Sequence, residues 1–203
     1  MECTVRWTGE GMSFLAETGS NHLVAMVSLN STTTQVTAVT WRPDPGNPAA
    51  DQALTRLGRQ AAPSAGSVEI WAVADPTAGL AGSSVSHTLS ANAKRVMGIH
   101  ALAGVGSVGP AVSAGLNGTA INVPVASTSD GLVLDVLYGQ NSTTTYTAGA
   151  GQTEHWDTNT TSGTGNLRGA GSSEAGAASV TMSWTANKKT NLALLAISFN
   201  PFP

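Results

Sequence analysis

Leu23-Val24-Ala25-Met26-Val27-Ser28-Leu29 is a seven-residue run with one polar member, held between His22 and Asn30. Its length and its β-branched Val24 and Val27 predict a strand. A second run, Leu192-Ala193-Leu194-Leu195-Ala196-Ile197-Ser198-Phe199, resembles it closely. Their likeness predicts two buried strands of one sheet. The segments around them are mostly built with a period of two, the spacing at which successive side chains reach opposite faces of a strand. Strands are predicted in this way over residues 34–41, 67–73, 83–89, 95–102, 119–125, 131–138 and 178–184.

The breaks between these runs carry turn chemistry. They include Pro43-Asp44-Pro45-Gly46-Asn47-Pro48, Asp75-Pro76-Thr77-Ala78-Gly79, Asn117-Gly118 and Asp130-Gly131. One short helix is a candidate over 48–57, and a strand over 53–58 competes with it. Residues 140–176, rich in Thr, Gly and Asn, are predicted to form long surface loops around one strand at 152–157. Many short strands at this spacing predict an all-β, antiparallel two-sheet sandwich, jelly-roll-like, in a single domain over 1–203.

Composition narrows the function classes. Only 10% of the 203 residues are charged, against about a quarter in typical soluble domains. Ser, Thr, Asn and Gly fill the polar positions, which suits a surface that packs against neighbours. With a net charge of −3 and scattered cations, no basic field attracts a phosphate backbone, so no nucleic-acid partner is expected. No apolar run approaches the roughly 18 residues of a membrane helix, so no membrane partner is expected either. Met1-Glu2-Cys3-Thr4-Val5-Arg6-Trp7 lacks a basic segment followed by an apolar one. The expectation is synthesis in a host cytoplasm without a signal peptide. A lone cysteine, Cys3, forms no intrachain disulfide and has no base beside it in sequence.

Each motif that suggests chemistry has a competing structural reading. Gly104-Val105-Gly106-Ser107-Val108-Gly109 matches a dinucleotide-binding string, but Pro110 follows and leaves no room for the helix such a site requires; a flexible glycine-rich loop is expected. In a strand, His155 and Asp157 share one face and Glu154 and Trp156 the other, which is too few ligands for a metal. Trp156 is expected to point inward, with His155 and Asp157 solvated or meeting a subunit. His87 and His100 lie on neighbouring predicted strands and could meet. Asp135, flanked by Leu134 and Val136, is expected to face solvent. Trp7, Trp41, Trp71, Trp156 and Trp184 stand singly in separate segments and are expected in the core, the alternative being a platform for sugar rings. Four Asn-x-Ser/Thr triplets, at Asn30, Asn117, Asn141 and Asn159, arise readily in so Asn- and Thr-rich a chain. No catalytic, cofactor-binding or metal-ligating residue is assigned.

Several of these stretches together carry a resemblance. They are His22-Leu23-Val24-Ala25-Met26-Val27-Ser28, Val36-Thr37-Ala38-Val39-Thr40-Trp41, Ala53-Leu54-Thr55-Arg56-Leu57-Gly58, Val68-Glu69-Ile70-Trp71 and Gly131-Leu132-Val133-Leu134-Asp135. The chain resembles a recurring β-sandwich domain of bacterial surface proteins and of tailed-phage virion structural proteins. The resemblance implies a non-enzymatic virion protein, either a capsid decoration protein or a fibre or spike component at the virion surface. Its implied partners are further copies of the chain, as in a homotrimer, and a major capsid or other virion protein. A carbohydrate-binding module of a surface protein is the alternative, and a sandwich hydrolase with two acids a more distant one.

Overall fold

The computed structural model describes residues 2–8, 16, 19–160 and 166–203, with the backbone alone at 2–8. Each predicted extended segment lies in a strand. In chain order the first eight are β1 (Glu2–Thr8), β2 (His22–Leu29), β3 (Val36–Arg42), β4 (Gln52–Ala53), β5 (Thr55–Ala61), β6 (Ser67–Ala74), β7 (Ser84–Leu89) and β8 (Arg95–Ala103). They are followed by β9 (Val105–Val108), β10 (Val112–Val125), β11 (Leu132–Gln140), β12 (Tyr146–Ala148), β13 (Thr153–Asn159), β14 (Leu167–Ala175) and β15 (Val180–Pro201). Among the described residues there is no α-helix. The candidate at 48–57 resolves into a single 3-10 turn, Pro48–Ala50, followed by β4 and the start of β5.

The fold is an all-β sandwich of antiparallel sheets. A five-stranded sheet, β1-β8-β2-β6-β5, faces a larger one ordered β10-β15-β11-β14-β13. Between them lies a core that includes Met26, Ile70, Leu102, Val136, Leu195 and Phe199. The two runs that look alike in sequence sit in different sheets: 23–29 in β2 and 192–199 in β15. They are similar because both are central strands, not because they pair.

Both outer faces of the sandwich are also covered. On the five-stranded side, a small sheet, β4-β3-β7, packs Val36, Val39, Trp41 and Val85 over Leu23, Val27, Met97 and Ile99. On the other side the long β10–β15 ribbon covers the sheet to which it belongs. Its pairing is regular from Val112↔Ala196 to Gly118↔Thr190, then resumes at Ala120↔Thr185. One residue on β10 therefore spans four on β15, 186–189, and the ribbon bends there. Beyond the bend, Ile121, Val123, Val125, Val180, Met182 and Trp184 pack onto Val133, Leu137, Leu194 and Ala196. This layering explains why β2, β11 and the end of β15 read as nearly continuous apolar runs: each is buried on both faces.

The segment 140–176, predicted as mainly loop, contains β12, β13 and β14, and β14 is a central strand of the larger sheet. Its Gly169-Ala170-Gly171-Ser172-Ser173 run is buried. Small residues are needed there. A Cβ built on Gly171 or on Gly98 of β8 would overlap the Trp156 indole, and one on Gly169 would overlap Val96. Glycine here marks close packing instead of a turn.

One buried carboxylate joins the small sheet to the five-stranded one. Glu69, fully buried on β6, accepts hydrogen bonds from the Val36 amide (3.1 Å) and from Trp71 Nε1 (2.9 Å). Arg59 lies 3.4 Å and Arg56 3.8 Å away, and the Arg56 guanidinium sits 5.7 Å from the Trp71 ring centroid. A buried charge is tolerated when it is both paired and hydrogen-bonded, as this one is.

Candidate functional site

The most chemically unusual side chain is Asp135, which is fully buried in the outer core under the bent ribbon. This overturns its expected solvent-facing position: the face of β11 that carries it is covered by 120–125 and 180–185. Four donors surround its carboxylate. The Ser172 amide (2.9 Å) and Ser172 Oγ (2.8 Å) donate to Oδ1, while Trp184 Nε1 (2.8 Å) and Gln152 Nε2 (3.4 Å) donate to Oδ2. Gln152 also donates to Ser172 Oγ at 2.7 Å and accepts from the Ser183 amide at 2.7 Å. The network therefore runs from β11 through β14 to the bent half of β15. It is buried between the ribbon and the sheet and holds the ribbon down.

Burial pushes the Asp135 carboxyl up to about 7, against the pull of its Ser172 and Trp184 hydrogen bonds. His100, fully buried on β8, is pushed the other way, down to about 3, by burial and by the neighbouring His155. The folded state holds the Asp135 proton more tightly than the unfolded chain does. Its stabilising contribution is complete below the ordinary value of 3.8 and is lost as pH rises through about 7. His100 stays neutral in the fold. Its contribution is complete above 6.5 and is lost as pH falls toward 3. The two slopes oppose each other between about pH 4 and 6.5, each with a limit of about 1.4 kcal/mol per pH unit. Asp135→Asn is expected to leave a stability that falls on acidification across this window, and His100→Gln one that rises. Urea denaturation of both variants at a series of pH values checks the signs.

His100 does not meet His87. His87 belongs to the small outer sheet and is hydrogen-bonded by Arg95. The neighbour of His100 is His155, with ring centroids 5.3 Å apart and nearly perpendicular. A bulge at His155 breaks the predicted alternation of β13, because Glu154 pairs with Ser172 while Trp156 pairs with Gly171. His155 Nε2 lies 2.7 Å from Ser173 Oγ. A serine–histidine couple of this kind serves nucleophilic catalysis when a third group orients the base; here the ring of His155 packs on another histidine. Asp157 is neither solvated nor a ligand, because Arg168 grips it through Nε and through Nη2 at 2.7 Å. Among the described residues, no three His, Cys, Asp or Glu side chains come together as a metal site.

The glycine string 104–109 is a short strand, β9, paired with the end of β15 through Val108↔Phe199 and Ser107↔Asn200. It is therefore not the loop that was expected. Gly104 takes a positive φ of 77° at the turn that precedes it. Trp41, Trp71, Trp156 and Trp184 are all buried; Trp71 alone also lines an open pocket, where the Arg56 guanidinium sits over its ring. The side chains of Trp7 and Cys3 lie outside the described residues.

One open site among the described residues is a cleft of about 460 Å³ at one end of the sandwich. Asn30 reaches it from the end of β2, Gln140 and Asn141 from the end of β11, and Asn166 from the start of β14. Asn117 of β10 and the Lys189-Thr190 corner of the β15 bend complete the lining. The bulge that folds the ribbon over thus also supplies one wall. Hydrogen bonds fix several of these amides. Asn117 Nδ2 donates to Asn191 Oδ1 at 3.1 Å, and Asn191 Nδ2 donates to Gln140 Oε1. Thr190 Oγ1 donates to the Gln140 carbonyl at 2.6 Å. Asn141 has a φ of 87°, a backbone state that Asn tolerates better than most residues. Its Oδ1 accepts from the Thr143 amide at 3.3 Å and from Thr143 Oγ1 at 3.1 Å.

None of the cleft residues stood out in the sequence as chemistry. A trace was present, however, because three of the four Asn-x-Ser/Thr triplets, at Asn30, Asn117 and Asn141, converge on this cleft. Compared with family models, curated proteins and solved structures, the chain matches none. The all-β sandwich is thus the class that the fold defines, and the function is argued from the residues.

Proposed function

We propose that this chain is a non-enzymatic structural protein of a virion surface, a capsid decoration protein or a fibre or spike component, that works through lasting contacts between copies. The observation that carries this reading is β10. It is a 14-residue strand at the edge of the larger sheet and contains no charged residue. Among the described residues, no strand pairs with the outer side of its second half, 120–125. Edge strands are normally shielded by charge, proline, a bulge, shortness or a covering element; β10 has a bulge at 118–120 and Pro124 but no charge. Its neutral edge suits contact with another copy: with the same edge it closes a two-fold dimer, and with a different surface of the next copy a ring such as a trimer. The resemblance to phage and bacterial surface sandwiches supports the same class.

The buried ionisable groups fit this picture. Asp135, Glu69 and His100 lie within internal contacts between layers instead of lining an open cleft. For the carbohydrate-binding alternative in the form that needs an exposed tryptophan, Trp41, Trp156 and Trp184 are packed in the core, and Trp71 reaches a pocket only beneath the Arg56 guanidinium.

Charge placed on the edge tests the reading. Thr119 and Asn122 are exposed on β10, so Thr119→Lys with Asn122→Lys adds repulsion between copies without touching the core. The double variant is expected to keep the wild-type circular dichroism and thermal midpoint, to lose self-association, and to lose cosedimentation with shells of the major capsid protein. Unchanged assembly in a variant with both lysines in place would contradict the role given to β10.

A further inference from the structure

The cleft brings together two features with hydrogen-bonding and charge capacity beyond the bonds that hold its walls. The first is a set of pre-oriented amide groups. With Gln140 Oε1 engaged by Asn191 and Asn117 Nδ2 engaged by the same residue, Gln140 Nε2 remains as a donor and Asn117 Oδ1 as an acceptor. Asn141, whose Oδ1 is held in its own turn, offers Nδ2 as a further donor. Donors and acceptors fixed by protein bonds are what vicinal hydroxyl groups require, since each hydroxyl both gives and takes a hydrogen bond.

The second feature is charge. The whole chain has three lysines, Lys94, Lys188 and Lys189, and all three converge on this end of the molecule. Lys94 Nζ donates to Asn166 Oδ1 in the cleft wall at 2.8 Å, and Lys188 Nζ donates to Thr143 Oγ1 of the adjoining turn at 2.8 Å. Lys189 lines the cleft itself, is exposed, and has no protein partner among the described residues. Among the described residues, no carboxylate lines the cleft. In a protein of net charge −3, this is a local positive site.

From these we infer that the cleft at the β11–β15 end binds an acidic oligosaccharide, with the amides of Asn117, Gln140 and Asn141 reading hydroxyls and Lys189 meeting the carboxylate or sulfate. The volume lies within the roughly 300–1,000 Å³ of small-ligand sites. It exceeds what a lone inorganic anion fills. Among the described residues no aromatic side chain lines the cleft, and single-stranded nucleic acid uses such a side chain as its stacking surface. The inference does not rest on the virion reading or on the unpaired edge at 120–125; it shares β10 with that reading through Asn117 alone.

Isothermal titration of the full chain with oligogalacturonate, sialyllactose, a sulfated disaccharide, neutral maltotetraose and a short single-stranded DNA tests the inference. At least one acidic sugar is expected to bind, more weakly at high salt, with maltotetraose and DNA weaker still. Lys189→Ala and Gln140→Ala are each expected to lower the affinity about tenfold, roughly 1.4 kcal/mol, and Lys189→Ala to flatten the salt dependence. Circular dichroism establishes that both variants are folded. Any of four results would overturn the inference: no binding of any acidic probe, equal binding of the neutral sugar, equal binding of DNA, or unchanged binding in both variants.

Discussion

Replacing Asp135 with Ala is expected to destabilise the fold by about 3–5 kcal/mol, since buried donors left without an acceptor cost about 1–3 kcal/mol each. Two of them cannot turn away: the Ser172 amide is fixed by its strand, and Trp184 Nε1 by its packed ring. Asp135→Asn is expected to fall between wild type and Asp135→Ala, at about 2–3 kcal/mol. The new amide keeps an acceptor for Ser172 but turns an N–H group toward the Trp184 indole N–H. Removing that second donor in Asp135→Asn with Trp184→Phe is expected to recover part of the Asp135→Asn loss, so the two changes are less than additive. Urea midpoints with unchanged slope, taken above pH 7 where the Asp135 carboxyl is ionised, would measure the series. A loss below about 0.5 kcal/mol in Asp135→Ala, the range of an ordinary surface change, would mean that this network does not hold the ribbon.

The second large effect is expected at Trp156. Its ring, 4% exposed, lies over Gly98 of β8 and Gly171 of β14, where no neighbouring side chain can exist to fill a void. Trp156→Ala is expected near the upper end of the roughly 3–5 kcal/mol for losing a large buried ring, because the two glycines cannot collapse into the space. Trp156 Nε1 has no hydrogen-bond partner among the described residues. Trp156→Phe therefore removes volume and no hydrogen bond, and is expected to be much milder. Gly98→Ala is expected to cost about 1–3 kcal/mol by overpacking against the indole. Part of that should return when it is combined with Trp156→Phe, and a double-mutant cycle by chemical denaturation measures the return.

Fold class was legible because alternation and turn residues act locally. The covering layers were not read from the sequence, whose strands predicted a two-sheet sandwich, although their signal is there. Runs such as 23–29 and 192–199, apolar at odd and even positions alike, require cover on both faces of a strand. In β3 the same rule explains an irregular pattern: a bulge between Val36 and Ala38 lets Val36, Val39 and Trp41 all point inward. The Gly- and Ser-rich β14 was illegible as a strand, since its small residues answer to Trp156, Val96 and Ser28 from elsewhere in the chain. Asp135 was illegible as a buried group for the same reason. Its partners Gln152, Ser172 and Trp184 stand 17, 37 and 49 residues away, and no local spacing signals them. The cleft lies still further from sequence, being assembled from five strands and the bend of a ribbon.

Sedimentation velocity of the wild-type chain, across a dilution series into the low micromolar range, reads whether the neutral β10 edge is covered by another copy. A single discrete oligomer is expected that persists on dilution and is lost when lysines are placed at positions 119 and 122. A monomer at every concentration, with no affinity for viral shells, would contradict the proposed role of this edge.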